Sequence, residues 1–292
     1  MFIRSVISAS AALLCTAAAQ GQDDPLTRPL AVARESTWLA PRPPIRVFGN
    51  SYLVGFGGLS VALIDTGKGL ILIDGALPQA APAILANVSR LGFRPRDIKY
   101  ILSTEPHFDH AGGIAALARD TDATVVASAR GAEGLRTGRL AADDPQLGYD
   151  SRFPAVTPDL ATVRAMGDGE VLRLGNVAIT ARATPGHTAG SMSWGWQSCE
   201  GKNCKSLVFA SSLNPVSADG YRYTSAAGET VVAGFRRSHE VMRTIPCDIL
   251  ISAHADQDGA TERFLTRPGA CRAYGTASER ALARRLTAEA AR

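Results

Sequence analysis

The stretch Ser103-Thr104-Glu105-Pro106-His107-Phe108-Asp109-His110 constrains this chain more than any other. Four side chains able to ligate a metal, Glu105, His107, Asp109 and His110, crowd together there, and the whole sequence has only 5 His. The apolar run Ile98-Lys99-Tyr100-Ile101-Leu102 precedes them and reads as a strand, while Ala111-Gly112-Gly113 opens a helix. In extended backbone residues i and i+2 face one way, so Glu105, His107 and Asp109 are expected to converge on one side. His110 then swings round as the chain turns. Imidazole nitrogen and carboxylate oxygen are ordinary zinc ligands, and a catalytic zinc keeps one position open. One His beside one Asp is usually a solvated surface pair, but two His and two acids this close make a ligand set.

With 292 residues and 46% apolar content, the chain can bury a large core in one or two closely joined halves. The formal net charge of +4 is spread along the sequence rather than gathered in runs, which argues against a nucleic-acid surface. Arg4, an apolar stretch from Val6 to Leu14, and Ala17-Ala18-Ala19 form the layout of a secretory signal over residues 1–19. That run is too short for a permanent membrane anchor, and Leu14 stands where a lipidated Cys15 would need a small residue. Export to the periplasm is the expectation. Residues 20–43, rich in Pro, Asp and Arg, read as an N-terminal extension, and 44–292 as the folded domain. The mature chain keeps Cys199, Cys204, Cys247 and Cys271, an even set that in an exported protein points to two disulfides. Cys199 and Cys204 flank Glu200-Gly201-Lys202-Asn203, a hairpin tip suited to a short staple, and Cys247 with Cys271 would then tie down the C-terminal region. Zinc binding by the four is the rival reading, and their spacing suits it poorly.

From Ile45 onward short strands alternate with Gly-bearing turns, over 45–47, 51–54, 60–64 and 70–73, which describes a meandering, largely antiparallel sheet. Helical spacing over 78–91 ends at Gly92. Beyond the ligand stretch a helix starts at 113–118, a strand covers 124–127 and a short helix 129–135. Residues 136–160 are polar, hold Pro and Gly, and show no period; long loops of this kind border sites. The second half repeats the arrangement, with strands over 171–174, 177–183, 191–196, 206–210 and 249–252, a helix over 229–244 and a terminal helix over 276–291. Two strand-rich sheets, each covered by helices, give an α/β fold with the architecture of a four-layer αβ/βα sandwich. Polar residues fall at strand ends, where they can meet along one edge.

His187 sits in Thr184-Pro185-Gly186-His187-Thr188, between backbone specialists that position a side chain, and His254 follows the last strand. His239, beside Arg236, Arg237 and Glu240, reads as a surface helix residue. Taken in order, Glu105-x-His107-x-Asp109-His110, Gly186-His187 and His254 resemble the metallo-β-lactamase superfamily, with its H-x-H-x-D-H signature and two later His. Leu72-Ile73-Asp74-Gly75 matches the strand-end Asp that the superfamily sets beside its metals. Many hydrolases of the superfamily, glyoxalase II and the lactonases among them, carry a bridging Asp after the strand corresponding to Leu207-Ala210. Here Ser211-Ser212-Leu213-Asn214-Pro215 follows, which is similar to the third subclass of class B β-lactamases, as are Cys247 with Cys271 and Pro268-Gly269-Ala270-Cys271-Arg272. The departure is Glu105, which stands in place of the first His of the signature.

The resemblance implies two zinc ions, one held by Glu105, His107 and His187 and the other by Asp109, His110 and His254. It implies hydrolysis of a β-lactam amide by a hydroxide shared between the metals, with Asp109 both a ligand and the group that orients it. It implies contacts from Ser212 and Asn214 to the substrate carboxylate, and Asp74 bonded to a ligand His. The expected partner is a small β-lactam and the expected state a monomer. Another hydrolase of this fold acting on a lactone or thioester, or a metal-binding protein impaired by Glu105, are the rivals. A serine hydrolase is the third, and no G-x-S-x-G elbow supports it.

Overall fold

A computed structural model describes residues 24–149, 152–255 and 264–291. The expected signal at 1–19 lies outside them. The first sheet holds seven strands in chain order: β1 (Ile45–Phe48), β2 (Ser51–Leu53), β3 (Ala62–Asp65), β4 (Leu70–Ile73), β5 (Ile98–Leu102), β6 (Thr124–Ala127) and β7 (Val163–Ala165). Pairing is antiparallel as far as β4, as the short turns demand. The antiparallel meander read over 45–73 is therefore present, and from β4 to β7 the pairing is parallel. Parallel neighbours need long crossovers, and helices supply them. These are α2 (Ala81–Arg90), the one-turn α3 (Phe108–Ala111), α4 (Ile114–Thr121) and α5 (Ala129–Thr137); the chain enters through another single turn, α1 (Glu35–Trp38).

The second sheet runs β12-β11-β10-β9-β8, built from β8 (Val171–Leu174), β9 (Val177–Ala183), β10 (Met192–Glu200), β11 (Asn203–Ala210) and β12 (Ile249–Ser252). Two helices cover it, α6 (Ala226–Thr244) and α7 (Ala270–Ala290). The last helix begins six residues before the expected start, directly after the breakers Pro268 and Gly269, because Ala270, Cys271 and Tyr274 belong to the buried core.

Side-chain alternation produces the four layers. In β3 and β4, Leu63 and Leu72 face α2, α4 and α5, whereas Ile64, Ile71 and Ile73 face the other sheet. In β11, Leu207 and Phe209 meet them from the opposite side, and Val208 and Ala210 turn towards α7. Trp194 and Trp196 fill the space between the sheets. Residues 24–43 are docked rather than free. Leu26, Val32, Trp38 and Leu39 pack on the core, and Gln79 Nε2 donates to Leu30 O at 3.1 Å and to Glu35 Oε1 at 2.9 Å.

Both expected disulfides form. Cys199–Cys204 bridges paired positions of the β10–β11 hairpin with Cα atoms 4.0 Å apart, and Cys247–Cys271 joins the approach to β12 to the start of α7 at 6.2 Å. No helix among the described residues is long and apolar enough to cross a membrane.

Candidate metal centre

The site is built where β5 runs out. Ser103 N–H donates to Val126 O, the last rung of the ladder, and Thr104 is held by Asp74, whose Oδ1 accepts the Thr104 N–H and whose Oδ2 accepts the Thr104 hydroxyl, both at 2.7 Å. The chain then bends at Pro106 and His107, His107 itself keeping β-region backbone (φ −97°, ψ 150°), and α3 begins at Phe108. The two-residue alternation expected through Asp109 therefore stops at His107. Asp109 and His110 lie on the helical turn, so the four ligand-type residues face two ways. Glu105 and His107 meet His187, while Asp109 and His110 meet His254, and within each trio the ligand atoms lie within 4.8 Å of one another.

His187 arrives on the β9–β10 connection. Gly186 has φ +136°, and a Cβ on it would come within 2.6 Å of the Phe235 ring, so only Gly brings the chain past α6 here. His254 follows β12 and is pinned by Ser60 N–H to Ala253 O and Ala255 N–H to Gly58 O. Both His thus come from the second sheet to meet residues from the first.

Partners on the outer nitrogens decide where the protons sit. His187 Nδ1 donates to Asn214 O at 2.8 Å. His107 Nε2 faces both carboxylate oxygens of Asp144 at 3.2 and 3.3 Å, and His110 Nδ1 faces Asp74 Oδ2 at 3.4 Å. Each of the three rings therefore turns its other nitrogen inward. His107 Nδ1 approaches His187 Nε2 to 3.2 Å, and His110 Nε2 approaches His254 Nε2 to 3.0 Å. Two imidazole nitrogens this close need a proton or a cation between them.

Glu105 makes the same case. Its side chain is fully buried; Oε2 accepts the Ser212 N–H at 3.0 Å, but Oε1 has no hydrogen-bond partner and lies 3.1 Å from His110 Nε2 and 3.7 Å from His187 Nε2. A buried carboxylate oxygen that meets only imidazole nitrogens needs a proton or a cation beside it. Three inward nitrogens from rings anchored behind, His254 Nε2 and the carboxylates of Glu105 and Asp109 make a donor set that fits cations.

Electrostatics agree. Burial opposes the charged form of Asp109, yet His110, His254 and His107 hold its carboxyl far below the usual range. Burial likewise opposes a charged His110, but Asp109, Glu105 and Asp74 push it up to about 10. Burial pulls His187 down, keeping it a neutral donor, and the pull on His107 is overcome by Asp144 and Glu105, which raise it.

Trp38, His107, Asp109, His187, Asn214 and His254 line a cavity of about 460 Å³ over this centre. Asn214 stands on its wall with a buried, unpartnered Oδ1. Ser212, expected beside the substrate, does not line the cavity. It is fully buried, and its backbone amide serves Glu105 instead. Asp74 sits behind His110 as expected, in left-handed backbone at φ 66°. Ser211 spends its hydroxyl on Thr184 Oγ1 at 2.8 Å. His239 is no surface residue. It is buried between α6 and α7 with Nε2 2.8 Å from Ser278 Oγ, because it shares a face with Val232, Phe235 and Met242. Asp144 and Gln146 also reach the trio, and their only signal in the sequence is membership of the long loop that borders the site.

The model of the Metallo-beta-lactamase superfamily matches residues 45–200. The solved structure of the first B3 metallo-beta-lactamase with an active-site glutamic acid is 66% identical, with a TM-score of 0.88 over 92% of this chain and 99% of its own. BJP-1, a subclass B3 metallo-beta-lactamase of Bradyrhizobium japonicum, is 30% identical, with a TM-score of 0.76 over 88% of this chain and 98% of its own. The hydroxyacylglutathione hydrolase of Anaeromyxobacter dehalogenans is 33% identical over 147 residues, half of this chain but only 42% of that relative's length. A family model matched over more than half of the sequence, on a fold with two ligand trios at one sheet edge, places this chain in the metallo-β-lactamase superfamily.

Proposed function

We propose that the chain is an exported zinc-dependent β-lactamase of the third subclass, working as a monomer in the periplasm. The observation that carries this reading is the pair of ligand trios, Glu105–His107–His187 and Asp109–His110–His254, at the floor of a cavity in a chain 66% identical to a B3 enzyme. All six ligand residues come from one chain. When bound, zinc supplies a Lewis acid for a carbonyl oxygen and an acidified water as nucleophile. The residues do the rest. Asp109, whose Oδ2 lies 3.1 Å from His254 Nε2, would hold the second ion with His110 and His254, and its carboxylate could orient a nucleophile by accepting a hydrogen bond. Asn214 presents its amide to the cavity, where it can orient a substrate carboxylate. Trp38, Phe108, Tyr149 and Val216 form an apolar wall that limits water. The two disulfides and the signal layout at 1–19 support the periplasmic address.

The likeness to hydroxyacylglutathione hydrolase keeps thioesters as a second reading. Against it stands Ser211, hydrogen-bonded to Thr184, where a bridging carboxylate belongs in that group. The test is hydrolysis of a chromogenic cephalosporin, a carbapenem, a lactone and a thioester by the zinc-loaded mature protein, with and without chelator. Chelator-sensitive β-lactam turnover restored by zinc is expected. Thioester or lactone turnover with none on either β-lactam would move the assignment to the second reading.

A further inference from the structure

Each donor of the Glu105–His107–His187 trio is fixed by one neighbour, and the neighbours differ in kind. Glu105 is held by the main-chain amide of Ser212, and His187 by the main-chain carbonyl of Asn214. His107 alone depends on a side chain, Asp144, which reaches it from 37 residues along the chain. That carboxylate is 2% exposed and lies behind the ring, away from the cavity that His107 lines.

Asp144 belongs to a loop seated on both sides. Its Oδ1 also accepts the Gln146 N–H at 2.8 Å, Ala218 N–H donates to Pro145 O at 2.9 Å, and the Tyr149 hydroxyl donates to Ser217 O at 2.6 Å. Arg130 pairs with Asp143 on the outer side. Gln146 Nε2 in turn comes within 3.1 Å of His187 Nε2 and 3.4 Å of His107 Nδ1. One short segment therefore touches the trio from behind and from the front.

Resting on the metal-centre reading above, we propose that Asp144 is the positioning residue of the first metal group. It holds the proton on His107 Nε2, so that Nδ1 stays bare as a ligand atom, and it couples filling of that group to seating of the loop 141–149. A neutral imidazole has two tautomers, and the wrong one would aim an N–H at the cation. A carboxylate on the outer nitrogen selects the right one and makes the inner nitrogen a better donor. In a trio that already contains a carboxylate, His107 and His187 are the only imidazoles, so the tautomer of each weighs more. Because coupling is reciprocal, a cation that locks His107 must also favour the docked loop.

The competing explanation is that Asp144 merely shapes the turn through Gln146 N–H. Asp144→Asn separates the two, because it keeps an Oδ1 acceptor for that turn while removing the charge. The experiment is cobalt titration of the full metal-free chain against a chromogenic chelator, with the visible spectrum of the bound cobalt read at each step. Glu105→Ala identifies which equivalent belongs to this group. Expected for Asp144→Asn and Asp144→Ala is a loss of about 10–100-fold in affinity for that equivalent alone, with an altered cobalt spectrum. Hydrogen exchange over 141–149 should slow on cobalt loading in the parent chain and not in Asp144→Asn. Unchanged affinity and spectrum in Asp144→Asn overturn the proposal, even if Asp144→Ala melts at lower temperature. A parent chain that takes up no cobalt at the Glu105 group overturns the proposal and the metal reading together.

Discussion

At the scale of single residues, the centre is a set of charges that fit one another only with cations or protons among them. Without a cation, His110 carries its inner proton up to a pH of about 10, because Asp109 and Glu105 outweigh the penalty of burial. A folded value above the ordinary imidazole range means that this proton stabilises the metal-free protein fully below about 6.5. That contribution fades as pH climbs towards 10. Metal uptake runs the other way, since the cation must displace the proton. The metal-free protein should therefore lose melting temperature between pH 6.5 and 10 through this group while affinity at the Asp109 trio rises. Calorimetric titration should show about one proton released by this group on binding near pH 7 and about half as much near pH 10, and no proton release near pH 7 would contradict the assignment. The six residues of the two trios were legible in the sequence because their chemistry is rare and, for four of them, local. Asp144 was not, since an acidic residue in an aperiodic loop carries no sign of the ring it will face. His239 was misread because its charged neighbours outvoted the helical spacing of Val232, Phe235 and Met242, which puts it inside.

Among the elements, strands and their ends were readable and helix starts less so. β5 and the ligand turn follow from one apolar run and its break, whereas α7 begins at a buried Ala270 and Cys271 that composition alone does not mark. The switch from antiparallel to parallel pairing at β4 carries no sequence mark, because short apolar strands look alike in either sense. The two staples act on elements of different reach. Cys199–Cys204 spans a sequence separation of 5 and Cys247–Cys271 one of 24, the latter fastening α7 to the edge of the second sheet. Chain-entropy reasoning gives about 2 kcal/mol for the short loop and about 3–4 kcal/mol for the long one. Paired Cys→Ser replacement should therefore lower the melting temperature more at Cys247 and Cys271. Equal losses in the two double variants would mean that native-state contacts, not loop closure, decide their worth.

For the molecule as a whole, the ligand set is divided between the two sheets. Residues 105–110 hang from the first, His187 and His254 from the second, and each trio draws on both. Bound ions would thus clamp the halves as well as serve chemistry. A ligand present at 100 times its dissociation constant adds about 2.7 kcal/mol of stability, and in a chain of this size each kcal/mol moves the midpoint by about 2–4 °C. Zinc at that level should raise the melting temperature by about 5–10 °C per filled trio, and a chelator should remove the gain. A midpoint indifferent to zinc would show that the halves need no clamp.

The anchor of His187 separates two roles by atom. Its proton rests on the backbone carbonyl of residue 214, which every amino acid supplies, while the side chain of Asn214 faces the cavity. Position 214 can therefore mutate freely with respect to the ring. Selection on new substrates could explore it with the metal ligand undisturbed, a freedom that position 144 lacks. A library randomised at both positions and sorted for cobalt binding should return diverse residues at 214 and acidic ones at 144.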